Sequence, residues 1–312
     1  MNKKCIFLIS ARKKLLKTCL YYLNQNYNEN YNYPILIFYH GNKYDSYKFR
    51  ESIRKINKKT QFRFHKITPK LPSNITKKDL FWNLDNPYAK TFIGRIGYLH
   101  ANYFWNNFMY FKELKGFDYL MRIDDDSWFK NKIEYDLFDE LDKQNGYFGT
   151  AYTNNFNGEW QLNTRVNLFD WIKDYVESNN IKVKYKPLLD SLKGERDNLS
   201  FHSLDLSCGN CNIYNRKMFN TNEWENYNNC FNKIAGGYRY RWGDCEVITL
   251  YAYIHLDKPL INFNLKAKNL YLNQLPDTKV ITDKKTSILL FLLKLKNNLK
   301  VFLSFSKFIF KK

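Results

Sequence analysis

Three consecutive carboxylates, Asp124, Asp125 and Asp126, follow the apolar run at residues 117–123 without a break. Alternate residues of an extended segment point the same way, so Asp124 and Asp126 can converge on one cation. Hard divalent cations such as Mn2+ and Mg2+ take carboxylate oxygens and readily bridge to phosphate. A cation so held neutralises a diphosphate leaving group as charge develops on it. An acidic triplet alone fits an exposed loop or a helix cap as well. What distinguishes this one is the apolar strand before it, ending Arg122-Ile123. Ligands of open α/β sheets bind just beyond the carboxyl ends of strands.

A second constellation is Tyr240-Arg241-Trp242-Gly243-Asp244. A glycine ahead of a carboxylate permits a tight turn and close approach of a substrate. Aromatic rings beside an acid suit a sugar, whose C–H faces stack on rings while its hydroxyls bond the acid. Judged by residue types alone, a buried tryptophan followed by a helix-capping aspartate explains the stretch better. Cys208-Gly209-Asn210-Cys211 has metal-like spacing, but structural zinc sites usually bring a second close pair, which is missing here. No HExxH, GxSxG or P-loop pattern occurs, which argues against a zinc protease, a serine esterase and a P-loop nucleotidase.

The elements that must position these residues read as an α/β fold. Strands over residues 5–10, 34–39 and 62–67 alternate with helical stretches near 14–26 and 46–57, the mark of a mainly parallel sheet with crossover helices. An aromatic segment, about 89–114, is expected to be helical and to lead, past Gly116, into the strand before the aspartates. Residues 150–206 are polar and loop-rich, with a helix near 166–178. Helices are expected around 223–234 and from Asp244 to about 256. The final 25 or so residues mix Leu, Phe and Ile with Lys294, Lys296, Lys300 and Lys307. Four lysines disfavour a membrane span. A basic amphipathic helix at a membrane surface and a packed terminal helix fit about equally.

The chain has 312 residues, ample for a hydrophobic core, and 44% of them are hydrophobic, which excludes a disordered chain. The formal charge of +20 favours contact with phosphates and anionic surfaces without choosing among them. Its lysines are scattered rather than striped, so no nucleic-acid partner is expected. Six cysteines do not make a disulfide scaffold. The apolar run after Met1-Asn2-Lys3-Lys4 is too short for a signal sequence, so a cytoplasmic or cytoplasm-facing location is expected.

Taken together and in order, these motifs resemble glycosyltransferase family 15, the fungal Kre2/Mnt1-type α-1,2-mannosyltransferases. Ile6-Phe7-Leu8-Ile9-Ser10-Ala11-Arg12 is similar to the family's opening strand and its Ala-Arg turn. Tyr31-Asn32-Tyr33-Pro34 resembles its aromatic-Pro entry to the second strand. Tyr98, His100, Phe108 and Tyr110 fall at the spacing of its Tyr-Arg-His and Phe-Phe-Tyr block. Asp118-Tyr119 and Arg122-Ile123-Asp124-Asp125-Asp126 parallel its Asp-Tyr and Arg-Val-Glu-Pro-Asp. Gly236-Gly237 and Arg241-Trp242-Gly243-Asp244 match its most specific block.

The resemblance implies a GT-A-like single domain over residues 1–280, followed by a basic tail at 281–312. It implies GDP-mannose as donor, a glycan or glycoconjugate acceptor, Mn2+ or Mg2+, and transfer with retention at the anomeric carbon. By carry-over, Asp124 and Asp126 are the metal ligands. Ser10, Arg12, Tyr110, Arg122 and Asp125 fall to the donor. Asp244 and Asn212 fall to catalysis, and Trp242 and Tyr240 to the acceptor region. There are departures. Asn212 stands where the family has a glutamate proposed as nucleophile, and an amide cannot attack as a carboxylate does. Asn262 and Tyr271 stand where histidines of a metal region are expected, and no counterpart of the family's anchor helix is expected. Other readings are a different nucleotide-sugar donor, a basic nucleic-acid-binding protein or nuclease, and an inactive sugar-binding descendant.

Overall fold

The computed structural model describes residues 2–76, 79–80, 92–155, 165–193 and 204–273. Its centre is a seven-stranded mixed sheet flanked by helices. Strands β1 (Lys4–Ser10), β2 (Ile35–Tyr39), β3 (Phe62–Lys66) and β4 (Tyr119–Ile123) lie in the order β3-β2-β1-β4, all parallel. Beyond β4 the sheet continues through β9 (Cys211–Asn215), β6 (Phe148–Thr150) and β10 (Ile261–Asn262), and β9 alone runs antiparallel to its neighbours. Two short pairs complete the strands: β5 (Ser127–Phe129) with β11 (Tyr271–Asn273), and β7 (Thr153–Asn154) with β8 (Leu206–Ser207).

The helices are α1 (Lys13–Asn26), α2 (Tyr47–Arg54), α3 (Phe92–Asn107), α4 (Leu137–Lys143), α5 (Leu168–Ser178), α6 (Lys186–Lys193), α7 (Asn222–Ile234) and α8 (Asp244–His255). They bury the two faces of the sheet in separate cores. Along β1, Ile6 and Leu8 face the core with α1 and α4, while Cys5 and Phe7 face the core with α3, α5, α7 and α8. A strand buried on both faces must be apolar at every position. That is why residues 5–9 read as a continuous hydrophobic run.

The chain order creates one crevice. From β1 the chain moves outward to β2 and β3, then reverses to place β4 on the other side of β1. At such a reversal the connections leave the sheet in opposite directions and open a gap beyond the strand ends. Ser10-Ala11-Arg12 and Asp124-Asp125-Asp126 are the residues at that gap.

Two expectations change. The aromatic helix stops at Asn107, followed by a 3-10 turn at Phe108–Tyr110. The amides of Asn106 and Asn107 donate back to the carbonyls of Asn102 and Tyr103, the local competition by which asparagine weakens helix ends. Strands β5 to β8, β10 and β11 were not expected, because elements of two or three residues carry no periodicity to read; helices α4 and α6 were not expected either. The basic tail lies outside the described residues. Among the described residues no helix is long and apolar enough to cross a membrane.

One packed residue gives a pH-dependent consequence. His255 ends α8 with its ring against Tyr251 and its Nε2 3.4 Å from the Tyr175 hydroxyl; burial pushes its pKa from 6.5 down to about 4. The unfolded chain therefore binds a proton between pH 6.5 and 4 that the folded chain refuses. Stability from this residue is full above pH 6.5 and is lost as pH falls through about 4. His255→Gln should flatten the fall in melting temperature over that window by the equivalent of about 2 kcal/mol, measured by calorimetry from pH 7 to 4.

Candidate active site

The acidic triplet forms a turn. β4 ends at Ile123, and the Ser127 N–H donates to the Asp124 carbonyl at 3.1 Å. This corrects the expectation of an extended segment, yet burial still alternates. Asp125 is turned inward, while about a quarter of the Asp124 and Asp126 side chains stays accessible. The Asp125 carboxylate accepts from the Ser10 hydroxyl (3.0 Å), from the main-chain N–H groups of Ala11 and Arg12 (3.1 Å each) and from the Arg12 guanidinium (2.5 Å). A carboxylate with that many donors is a clamp between two strand ends. Asp125 and Ser10, expected on the donor, are taken up by this clamp, and Ser10 also bonds the Tyr44 hydroxyl at 2.8 Å. Arg12 is half exposed and also reaches Asp126 at 2.9 Å.

Arg122 is the hub beside the turn. It is buried in β4, and its guanidinium lies 3.8 Å from the centre of the Trp105 ring. It donates to Asp124 Oδ1 through Nε (3.3 Å) and Nη2 (3.2 Å), and through Nη1 to Asp244. One cation thus joins the acidic turn to the acid of the Trp-Gly-Asp stretch, which lies 122 residues beyond Arg122 in sequence. One positive charge does not balance the carboxylates around it. Burial pushes the Asp124 pKa up to about 7; Arg122 opposes this, and the charges of Asp126, Asp244 and Asp125 add to it.

Asp244 is the first residue of α8, and the cap before it is Gly243, so the capping role expected of the aspartate falls to the glycine. Its buried carboxylate is free to turn toward Arg122. Gly209 packs against this turn with φ +74, and a Cβ there would stand 2.2 Å from Cys245 Sγ. A left-handed backbone in contact with the start of α8 admits only glycine.

Three assignments are corrected. Trp242 is buried in the core, stacks near Trp171 and Tyr240, and donates its indole N–H to the Val166 carbonyl at 2.7 Å. Its face is occupied, so it does not line an acceptor region, and Tyr240 packs on it. Tyr110 lies at the far end of β4. The carbonyls of Met109 and Leu114 on either side of it accept from Arg216, whose N–H bonds the Asp118 carbonyl just before β4 begins. The five residues of β4 separate it from the aspartates, about 16 Å of strand. Asn212 sits on β9 opposite Arg122 in register, 1% exposed, and its amide donates to the Tyr214 hydroxyl at 3.0 Å. It helps pack the floor beside Arg122 and faces no open space.

The structure adds residues that the sequence did not single out for roles. Tyr98, 45% exposed on α3, lies 4.6 Å from the Arg241 guanidinium and in the field of Asp244 and Glu246. Arg241 adopts φ +62. These two form the outer wall over the start of α8. Trp105 gave no signal because it was one ring in an aromatic helix.

Asp124 and Asp126 are the carboxylates open to a cation. Among the described residues no group of three or more His, Cys, Asp or Glu is arranged to hold a metal. Two hard oxygen donors do not make an all-protein cage, and they are wrong for zinc. They match a Mg2+ or Mn2+ that completes its shell with phosphate and water.

A family model described as glycolipid 2-alpha-mannosyltransferase matches residues 2–284. The probable mannosyltransferase MNT3 of Candida albicans is 26% identical over 170 residues, which are 53% of this chain and 42% of that protein's length. Among solved structures, the mannosyltransferase Ktr4p of S. cerevisiae in complex with GDP superposes with a TM-score of 0.71 at 20% identity, over 87% of this chain and 71% of that one. Core-mannan synthase A of Aspergillus fumigatus, in an Mn/GDP form, gives 0.69 at 15% identity, over 88% and 75%. At such identities the structural likeness establishes the GT-A-like α/β fold. The family match covers nearly the whole sequence, and this chain belongs to the glycolipid 2-alpha-mannosyltransferase family.

Proposed function

We propose that this chain transfers mannose from GDP-mannose to a hydroxyl of a glycan or glycoconjugate, with retention and with Mn2+. The observation that carries the reading is the joining of Asp124 and Asp244 by Arg122 at the sheet's reversal point, with Asp126 held beside them by Arg12. Asp124 and Asp126 would hold the cation. When bound, it supplies charge neutralisation at the diphosphate as the sugar leaves. Arg12 stands half exposed at the end of β1, where a guanidinium can meet a phosphate oxygen in fork geometry. Arg122 fixes the direction of the Asp124 and Asp244 carboxylates. Asp244, with Tyr98 and Arg241 outside it, would stand nearest the transferred sugar. Asn212 provides no nucleophile, and its burial keeps it from the substrate. Attack by the acceptor hydroxyl on the face the diphosphate leaves needs no covalent intermediate.

A second reading rests on that same amide: a sugar-binding descendant that holds the donor and does not turn it over. One assay separates the two. Nucleotide sugars are incubated with and without Mn2+, and free nucleotide is measured. Metal-dependent release of GDP from GDP-mannose, exceeding release from UDP-sugars by at least about tenfold, is expected. Binding of GDP-mannose without release supports the descendant, and equal release from all donors refutes the assignment of the donor.

A further inference from the structure

Arg165 is completely buried, yet among the described residues only Nε of its three guanidinium nitrogens has a partner, Glu246 Oε1 at 3.3 Å. Its two terminal nitrogens make no hydrogen bond among the described residues. A guanidinium stays charged in proteins, so Glu246 is the counter-charge that keeps it tolerable in the interior. Glu246 lies in the first turn of α8, two residues after Asp244. Its carboxylate folds back on the cap, since a Cβ on Gly243 would stand 2.5 Å from Glu246 Oε2. The next residue after Arg165 grips the other side of that glycine, because the Val166 carbonyl accepts the Trp242 indole N–H. Residues 165–166 therefore hold the turn both before and after Gly243. The first turn of α8 carries two acids, each drawn by its own arginine: Asp244 by Arg122 and Glu246 by Arg165.

We propose that Arg165 is a positioning residue: through Glu246 it fixes the first turn of α8 and thereby sets the Asp244 carboxylate against Arg122 and Asp124. Its kinetic consequence rests on the transferase reading, and its structural consequence does not. A pair that served stability alone could be exchanged for apolar side chains of similar volume without harm. A pair that sets geometry could not, because a shift of about 1 Å at a reacting group costs up to about a hundredfold in rate.

The test is R165M/E246M, which removes both charges together, beside Arg165→Lys, which keeps a cation opposite Glu246. Three readouts are taken: kcat and KM for transfer, GDP affinity, and amide hydrogen exchange of residues 247–250, whose N–H groups close the first turn. The double variant should fold and bind GDP as the parent does, with KM little changed and kcat about 30-fold lower. Exchange in the first turn should be at least about tenfold faster, and Arg165→Lys should recover most of both losses. Parental kcat and parental exchange in the double variant overturn the proposal, as does an Arg165→Lys variant no better than Arg165→Met. If the double variant does not fold, Glu246→Gln, which breaks the ion pair and keeps the shape, is judged by the same readouts. If the parent transfers no sugar from any donor, the transferase reading fails and exchange alone decides: faster exchange upholds the positioning role and unchanged exchange removes it.

Discussion

Replacing Asp124 by alanine should lower the proposed mannose transfer at least about 1,000-fold while leaving the fold intact. Both halves follow from the same crowding. The carboxylate stands partly buried among Asp125, Asp126 and Asp244 with Arg122 as its cation, and its pKa is pushed up to about 7. An acid with a raised folded pKa stabilises the fold most below its unfolded value of 3.8, and that contribution is lost as pH rises through about 7. At pH 8 without metal, then, the ionised side chain works against folding. Removing it should not lower the melting temperature there, although catalysis collapses. Functional carboxylates are commonly held at such a cost. Calorimetry at pH 8 in chelator, beside initial rates with Mn2+, checks both halves. A variant that is inactive and also strongly destabilised would mean that Asp124 is a structural acid held by Arg122.

The second large effect belongs to Arg122. Arg122→Met keeps the volume against Trp105 and removes the charge shared by Asp124 and Asp244. Two carboxylates, one of them fully buried, then lose their cation. Breaking one partner of a buried pair costs about 3–5 kcal/mol. At this chain length that corresponds to a drop of roughly 5–8 °C in melting temperature. Activity should fall at least about 100-fold, since neither acid keeps its direction. Adding Asp244→Asn to Arg122→Met should restore part of the stability and none of the activity. A double variant no more stable than Arg122→Met would show that the pair is not coupled.

The parallel half of the fold was legible because each buried strand there is a run of apolar residues closed by a turn signal. The acidic turn was legible for the same reason: β4 is five buried residues, and the aspartates stand where it stops. What the sequence could not show is which polar side chains turn inward. Asp125 and Asp126 are the same residue type, yet the oxygens of Asp125 bond the end of β1 while Asp126 stays about a quarter accessible. Trp242 was misplaced because a ring before Gly-Asp suits a sugar as well as a core, and only the neighbouring Trp171 and the Val166 carbonyl decide between them. Tyr110 was misplaced because spacing along the chain does not say at which end of a strand a residue lies. The pairing of Arg165 with Glu246 joins residues 81 apart and left no local trace.

The central claim is that Asp124 and Asp126 form a metal-linked diphosphate site. Isothermal titration of GDP into the unmodified protein, in Mn2+ and then in chelator, tests it most directly, with Asp124→Ala and Asp126→Ala as controls. GDP should bind at least about 30-fold more tightly with Mn2+, a difference of about 2 kcal/mol, and each substitution should erase that difference. Equal affinity with and without metal in the unmodified protein, or an undiminished metal effect in both variants, would contradict it.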